Sequence, residues 1–578
     1  MCIDSGVWLM KSKMRLGSWR KVTGSGLSEC MTSGNQIASR MKKIARLLPT
    51  TGTEQRGAEL RARHKRVRCT RNPTRARRMS TAVADQVLEQ AVRSGDDAAR
   101  LELGNRWLSR HRYGTPEHER GLELLLAASE GPLAVQAHWF LAAYYVQLAV
   151  RPGAAAEAAR WMSRAADAGM PAAMDRLAEM YLAGRGVEPS PARAFELHKE
   201  LAGQGHSRAA WEAGYLLDHA GVEPGGPGGE GDTACTFFAR ASALGDPAGY
   251  YSLGLRFAAG TGVAADPDFG RALLSRAADG GYPGAAEAAD ELVPGAPSPR
   301  ATEWHRRLKS NMDSAPLEAL GPGRAGAAQR RAATLALEAH FSRIGHPALR
   351  LDAGGRLRVA PGGARPAAHQ PGNWHWLSHA PRVATSTDFA SREECDHLMS
   401  RVAGTLRKAG EYRRAGRDND DAEALYFSGS GQAINAMAAT SVVRIVEQRI
   451  ARMTDWSPRA LEPCSVIRYL PGEEYRPHVD FFSPDQIERD RREGRDFGGQ
   501  RIATFLVCLR APAAGGETVY DKAGLSVAGR RGQGVLHYNV GPDGQPDPMS
   551  LHTGMPVRDG EKWLWRSTLR EHYLDVPR

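Results

Sequence analysis

The sequence predicts a multidomain protein: an N-terminal α-solenoid of helix-pair repeats followed by an α-flanked β-sandwich or barrel. Three observations carry that expectation. A chain of 578 residues is too long for a single core. From about residue 81 to 295 a glycine-ended turn recurs at Gly95, Gly131, Gly169, Gly205, Gly245 and Gly281, around a basic interval of 36 residues. Beyond residue 460 helical spacing gives way to short β-rich runs such as "CSVIRYL", "RIATFLVCLR" and "GQGVLHYNV".

Residues 1–80 hold 6 Lys and 13 Arg against 4 acidic residues, so the net charge of +12 belongs to this tail and the rest is slightly acidic. That removes most of the global argument for nucleic-acid binding, leaving only the tail as a nucleic-acid, membrane-surface or targeting segment. The segment reads as a disordered basic extension, or as upstream of a true start at Met79. No run reaches 18 apolar residues, so no membrane span is expected. Seven scattered cysteines without a CxxC give neither a disulfide framework nor a zinc ribbon, and point to a reducing, cytoplasmic setting.

Within residues 81–295, equal offsets from the turn glycines carry equivalent residues. After Gly169 these are Leu177, Ala178, Tyr181, Gly184 and Gly186; after Gly245 they are Leu253, Gly254, Phe257, Gly260 and Gly262. Each unit is two short helices that must stack on neighbours to bury their apolar faces. The pattern resembles Sel1-like repeats, which implies a concave, protein-binding scaffold; a plain structural spacer is the alternative. The "PGGPGGEG" insertion lacks the Lys-Ser/Thr of a phosphate loop.

Residues 296–379 are rich in Pro, Gly, Ala and Arg and read as a linker with one docking helix, "RRAATLALEAHFSRI". From 380 to 578 a helix is expected after a Ser391 cap with Glu394 closing a capping box, then a second helix over "ATSVVRIVEQRIARMTDW", then the strands.

The chemistry centres on "YRPHVDFF". With 18 His in 578 residues, roughly one His-x-Asp triplet is expected by chance, so alone the pair is weak. In a strand, however, His478 and Asp480 project to one face and can converge on one ion. Two imidazoles and a carboxylate on one face of an octahedron form the donor set of a mononuclear Fe(II) oxygenase. His552 in "SLHTGMPVRDGEKW" is the candidate third ligand, and Lys562 the cation for the distal carboxylate of a chelating 2-oxoacid. His537 in "VLHYN" reads as a packed core histidine, Cys464 and Cys508 as buried small hydrophobes, and Arg501 as a strand-start salt-bridge residue.

The motifs "RYLPGEEYRPHVDFF", "GGQRIATFLVCLRAPAAGGETVY" and "SLHTGMPVRDGEKW", preceded by "FASREECDHLM", resemble the iron- and 2-oxoglutarate-dependent dioxygenases of the prolyl 4-hydroxylase type. The resemblance implies a double-stranded β-helix, a jelly-roll barrel, with Fe(2+) held by His478, Asp480 and His552. It implies that Lys562 binds the 5-carboxylate of 2-oxoglutarate, that Tyr469 and Thr504 line the co-substrate pocket, and that O2 and L-ascorbate are needed. The implied reaction couples decarboxylation of 2-oxoglutarate to hydroxylation of an unactivated C–H. The chain departs from the family at Thr568, Cys508 and the pair Tyr520-Asp521, positions that bear on the substrate pocket. The segment "RRAGRDNDDAEALYFSGSG" is either a mobile lid or a divergent surface loop.

The leading expectation is a dioxygenase hydroxylating a residue, proline by the resemblance, of a protein or peptide substrate held partly by the repeats, which could also bind a protein partner. Two others stand beside it: a dioxygenase acting on a free amino acid or small metabolite, and a catalytically silent Sel1-repeat adaptor.

Overall fold

The computed structural model describes residues 84–572 apart from 112, 149–152, 223–232, 321–325, 365–368, 370, 409–426, 435–438 and 493–497. The basic tail, the "PGGPGGEG" insertion and most of the expected lid segment lie outside the described residues. The chain divides into two compact units, one ending at Leu141 and the other formed by Ala142–Leu320 and Ala325–Arg578.

In the first unit, helices α1 (Asp97–Arg110) and α2 (Pro116–Ala128) start at Asp96 and Thr115 caps, whose side chains accept hydrogen bonds from first-turn backbone N–H groups. They cross at Gly104 and Gly121: a Cβ on Gly104 would stand 2.9 Å from the Gly121 carbonyl oxygen. Helix α3 (Ala134–Gln147) contains the division between the units.

The second unit continues the repeat with α4 (Ala154–Asp167), α5 (Pro171–Ala183), α6 (Pro191–Gly203), α7 (Ser207–His219), α8 (Ala234–Ala243), α9 (Pro247–Ala259), α10 (Pro267–Asp279) and α11 (Ala285–Leu292). Proline opens α5, α6, α9 and α10, where its missing N–H costs nothing and its fixed φ favours the helix. Gly186 shows what the glycine pattern is for: with φ 74° it passes so close to α4 that a Cβ would lie 1.9 Å from the Ala155 carbonyl oxygen.

Residues 296–379 differ from the expected linker with a single helix. They hold α12 (Pro299–Asp313), α13 (Ala327–Ser342), a hairpin of β1 (Leu349–Leu351) and β2 (Leu357–Val359), and β3 (His375–His379). The reason is packing. Leu308, Phe341, Leu357 and Val359 are buried in the main core, and Val359 N donates to Thr236 Oγ1 of α8 at 3.1 Å. Composition alone hid these apolar anchors.

The C-terminal half is built from antiparallel strands. An eight-stranded sheet has the order β3, β4 (Arg382–Ser386), β13 (Gly534–Tyr538), β9 (Arg501–Arg510), β16 (Lys562–Arg570), β7 (Ser465–Tyr469), β6 (Ser430–Ala433), β5 (Arg407–Lys408). A four-stranded sheet has the order β12 (Leu525–Val527), β11 (Thr518–Tyr520), β14 (His552–Gly554), β8 (Tyr475–His478). Two further strands, β10 (Ala514–Gly515) and β15 (Val557–Asp559), pair with each other. On one face of the large sheet Phe505, Val507, Trp563 and Trp565 meet helices α14 (Arg392–Val402) and α15 (Ser441–Thr454) in one core. The expected capping box is present: Glu394 N donates to Ser391 Oγ and Ser391 N to Glu394 Oε2.

The same core runs from α14 and α15 into the repeats. Glu394, fully buried, receives a two-pronged pair of bonds from Arg449 of α15, at 2.9 and 2.8 Å, and a third from Tyr215 Oη of α7 at 2.7 Å. Trp211 stacks on His397 at 4.2 Å between ring centroids, Tyr251 bonds Asp396, and Arg256 reaches Glu393 at 3.0 Å. Glu212 accepts the Ser441 backbone N–H at the start of α15 at 3.0 Å. Repeat helices α7 and α9 are therefore engaged by the chain's own C-terminal half.

Candidate metal and co-substrate site

The site lies where the two sheets face each other. On the small sheet, β8 ends at His478 and β14 begins at His552, and these two residues are directly paired in register. On the large sheet, Thr504 of β9 pairs with His537 of β13, and Lys562 of β16 with Tyr469 of β7. Strand alternation turns these side chains to the same interior.

His478, Asp480 and His552 offer one ligand atom each, all within 4.8 Å of one another. Both imidazoles are fixed in the same way. His478 Nδ1 bonds the Arg476 carbonyl at 2.8 Å, and His552 Nδ1 bonds the Ser550 carbonyl at 2.9 Å. A carbonyl can only accept, so each Nδ1 carries the proton and each Nε2 keeps its lone pair for a cation. Burial lowers both pKa values, that of His552 to about 3 with His537 and His478 adding to the effect. Neutral imidazoles with free Nε2 atoms beside an ionised carboxylate fit a divalent transition metal.

Asp480 is buried, which by itself would raise its carboxyl. The hydrogen bond from His537 and the neighbouring imidazoles of His552 and His478 outweigh burial and hold it well below the usual range. Its Oδ2 accepts the Thr504 hydroxyl at 2.6 Å and lies 3.2 Å from His537 Nε2. Tyr520 Oη lies 2.9 Å from His537 Nδ1, and Asn539 Nδ2 donates to Thr504 Oγ1 at 3.2 Å. An ionised carboxylate can only accept, so His537 donates from Nε2 and receives the Tyr520 hydroxyl proton at Nδ1. With Oδ2 holding two donors, Oδ1 is the oxygen left for a metal.

His537 is thus buried, as the sequence suggested, but it is not an inert core residue: it is wired to a metal ligand. The apolar strand told of its burial but not of its partner, because position parity, not local hydropathy, decides which way a β13 side chain points. Pairing opposite Thr504 was the missing signal. Thr504, expected on the co-substrate pocket, spends its hydroxyl on Asp480.

Lys562 is 4% exposed, and among the described residues no carboxylate lies within ion-pair distance of it. Its Nζ stands 5.6 Å over the Tyr469 ring. Burial pushes its pKa down to about 8, partly offset by Cys508 and Glu517. A buried lysine without a counter-charge is a site waiting for an anion. Cys464 and Cys508 are buried as expected, their thiols pushed up by burial to about 12 and about 11. Arg501 bonds Glu462 at 2.9 Å through both Nε and Nη2.

The profile of the 2OG-Fe(II) oxygenase superfamily matches residues 464–567, and the Sel1 repeat matches residues 135–170, 171–206 and 247–282. Probable prolyl 4-hydroxylase 9 of Arabidopsis thaliana is 32% identical over 211 residues, covering 34% of this chain and 70% of that protein. The chain belongs to the prolyl 4-hydroxylase-like 2OG-Fe(II) oxygenases. Probable prolyl 4-hydroxylase 4 of the same plant is 33% identical, over 32% of this chain and 66% of its own length, so the chain spans about two thirds of that relative. A solved viral collagen prolyl hydroxylase from Paramecium Bursaria Chlorella virus-1, in its 2OG complex, is 21% identical over 32% of this chain and 95% of its own, with a TM-score of 0.26. In this oxygenase the matched segment contains the His478, Asp480 and His552 cluster and Lys562.

Proposed function

We propose that the protein hydroxylates a proline residue of a protein or peptide substrate, using Fe(II), O2 and 2-oxoglutarate, with ascorbate as supporting reductant. The observation that carries the reading is the pairing of a tautomer-locked His478, Asp480, His552 cluster with a buried, unpaired Lys562 across the same interior. The proline assignment rests on relatives of about 30% identity named as prolyl 4-hydroxylases. The free, buried thiols of Cys235, Cys395, Cys464 and Cys508 suit a reducing compartment, the cytoplasm by this reading.

Each residue has a part that follows from its contacts. His478 and His552 would hold the iron through Nε2, their Nδ1 protons pinned by backbone carbonyls. Asp480 would hold it through Oδ1, while Thr504 and His537 occupy Oδ2 and stop the carboxylate from rotating. Lys562 would receive the 5-carboxylate of 2-oxoglutarate, and Tyr469 forms the wall beside it. Bound iron would supply the O2 chemistry that makes an unactivated C–H reactive. The two sheets exclude water from Lys562 and Asp480, strengthening every charge interaction inside.

The test is Fe(II)-dependent formation of succinate from 2-oxoglutarate, followed by mass spectrometry of proline-containing peptides for a gain of one oxygen. Absence of succinate formation with iron, ascorbate and any peptide would sink the proposal. A silent adaptor predicts that His478→Ala leaves the cellular phenotype intact; the complete donor set argues against it.

A further inference from the structure

Strand β16 carries a second cation on the face that bears Lys562. Leu564 packs with Ile467, Tyr469 and Cys508, and Thr568 pairs with Thr504, whose hydroxyl bonds Asp480. Arg566 lies between them in register, opposite Leu506 of β9 and Ser465 of β7. Alternation along the strand therefore turns its side chain to the same interior, on the Asp480 side of Lys562.

Arg566 lacks the partners that its neighbours have. Arg501 and Arg570 are both bonded to Glu462, at 2.9 and 2.7 Å. Among the described residues, none gives Arg566 a hydrogen bond or an ion pair. Asp480 and Glu462 act on it through space, but Glu462 is bonded to Arg501 and Arg570, and the Asp480 oxygens are committed to Thr504, His537 and the metal position. A guanidinium stays charged and presents a planar fork matched to a carboxylate, so a partly buried one without a protein partner lacks half of an interaction.

We propose that Arg566 is a second carboxylate-binding residue beside the metal donors, taking an anionic group that Lys562 does not. The inference rests on the oxygenase reading. Four residues of strand, about 13 Å between Cα atoms, separate the two cations, which suits two carboxylates rather than one. The carboxylate comes either from the 1-carboxylate end of the 2-oxoacid or from the substrate next to the C–H that reacts.

The experiment uses the full chain loaded with Mn2+ without oxygen, so that nothing turns over. Calorimetry measures the binding of 2-oxoglutarate and of 2-oxopentanoate, which lacks the distal carboxylate. With the 1-carboxylate as partner, Arg566→Met weakens both oxoacids by at least about tenfold. Lys562→Met then weakens 2-oxoglutarate alone, and Arg566→Lys recovers part of the loss. With the substrate as partner, Arg566→Met binds both oxoacids like wild type. It then loses turnover of proline peptides carrying Asp or Glu while keeping that of their Asn or Gln counterparts. An Arg566→Met protein unchanged in both respects overturns the proposal. Wild-type protein that binds neither Mn2+ nor 2-oxoglutarate overturns the oxygenase reading and this inference with it.

Discussion

Replacing Lys562 by methionine should stabilise the empty protein while abolishing its use of 2-oxoglutarate. Met fills the space of the lysine stem but brings no charge into the interior. The magnitude follows from the pKa: a fall from the ordinary 10.5 to about 8 corresponds, at about 1.4 kcal/mol per pH unit, to about 3 kcal/mol. Because the folded pKa lies below the unfolded one, this penalty is full below about pH 8. It disappears as pH rises toward 10.5, so wild-type stability should climb across that window. Urea unfolding of metal-free protein between pH 7 and 10 measures it. Lys562→Met should be the more stable protein at pH 7 and should lack the climb. With Mn2+ and 2-oxoglutarate present the order should reverse, since only the wild type gains a partner for its cation. Equal stability at pH 7 with parallel pH dependence would refute the reasoning.

Removing a metal ligand by Asp480→Ala or His552→Ala should abolish Mn2+ binding and succinate formation while the circular dichroism spectrum stays that of the wild type. His537→Phe keeps an aromatic ring but leaves Asp480 Oδ2 with Thr504 as its one remaining donor, and should weaken Mn2+ binding about 10- to 100-fold, read by calorimetry. Arg449→Met leaves the buried Glu394 carboxylate with Tyr215 as its remaining side-chain donor and should cost about 3–5 kcal/mol in urea unfolding. Burial first, and Glu212 second, push the Glu179 carboxyl up to about 8. Its raised folded pKa means that stability falls as pH rises from about 4.5 through about 8, and Glu179→Gln should flatten that slope.

Much of this was legible in the sequence, for identifiable reasons. The repeat helices announce themselves because small residues at fixed offsets are required wherever two backbones cross, as at Gly254, where a Cβ would lie 3.1 Å from the Gly270 carbonyl oxygen. The His478, Asp480 pair was legible because a spacing of two brings both side chains to one place, although β8 itself ends at His478 and Asp480 lies just beyond it. His537 and Arg566 were not, because their meaning depends on register: His537 matters by standing opposite Thr504, and Arg566 by lying two residues before Thr568. Register is set by pairings between distant segments, which local pattern does not contain. The helices and hairpin of residues 296–379 were obscured likewise, since Phe341 and Leu357 acquire their role only against the repeats.

The joint between repeats and oxygenase has a consequence for inheritance and for engineering. An oxygenase half cut free at residue 380 would bare the Glu394, Asp396 and His397 face of α14 to water and leave Glu394 without the Tyr215 hydroxyl and Asp396 without that of Tyr251. Deleting the repeats would therefore be a wound to the fold rather than a clean test of substrate delivery. A foreign oxygenase half grafted onto these repeats would have to bring its own matching helices. Tyr215, Tyr251 and Arg256 on one side, and Glu393, Glu394 and Asp396 on the other, form a lineage that has to travel together.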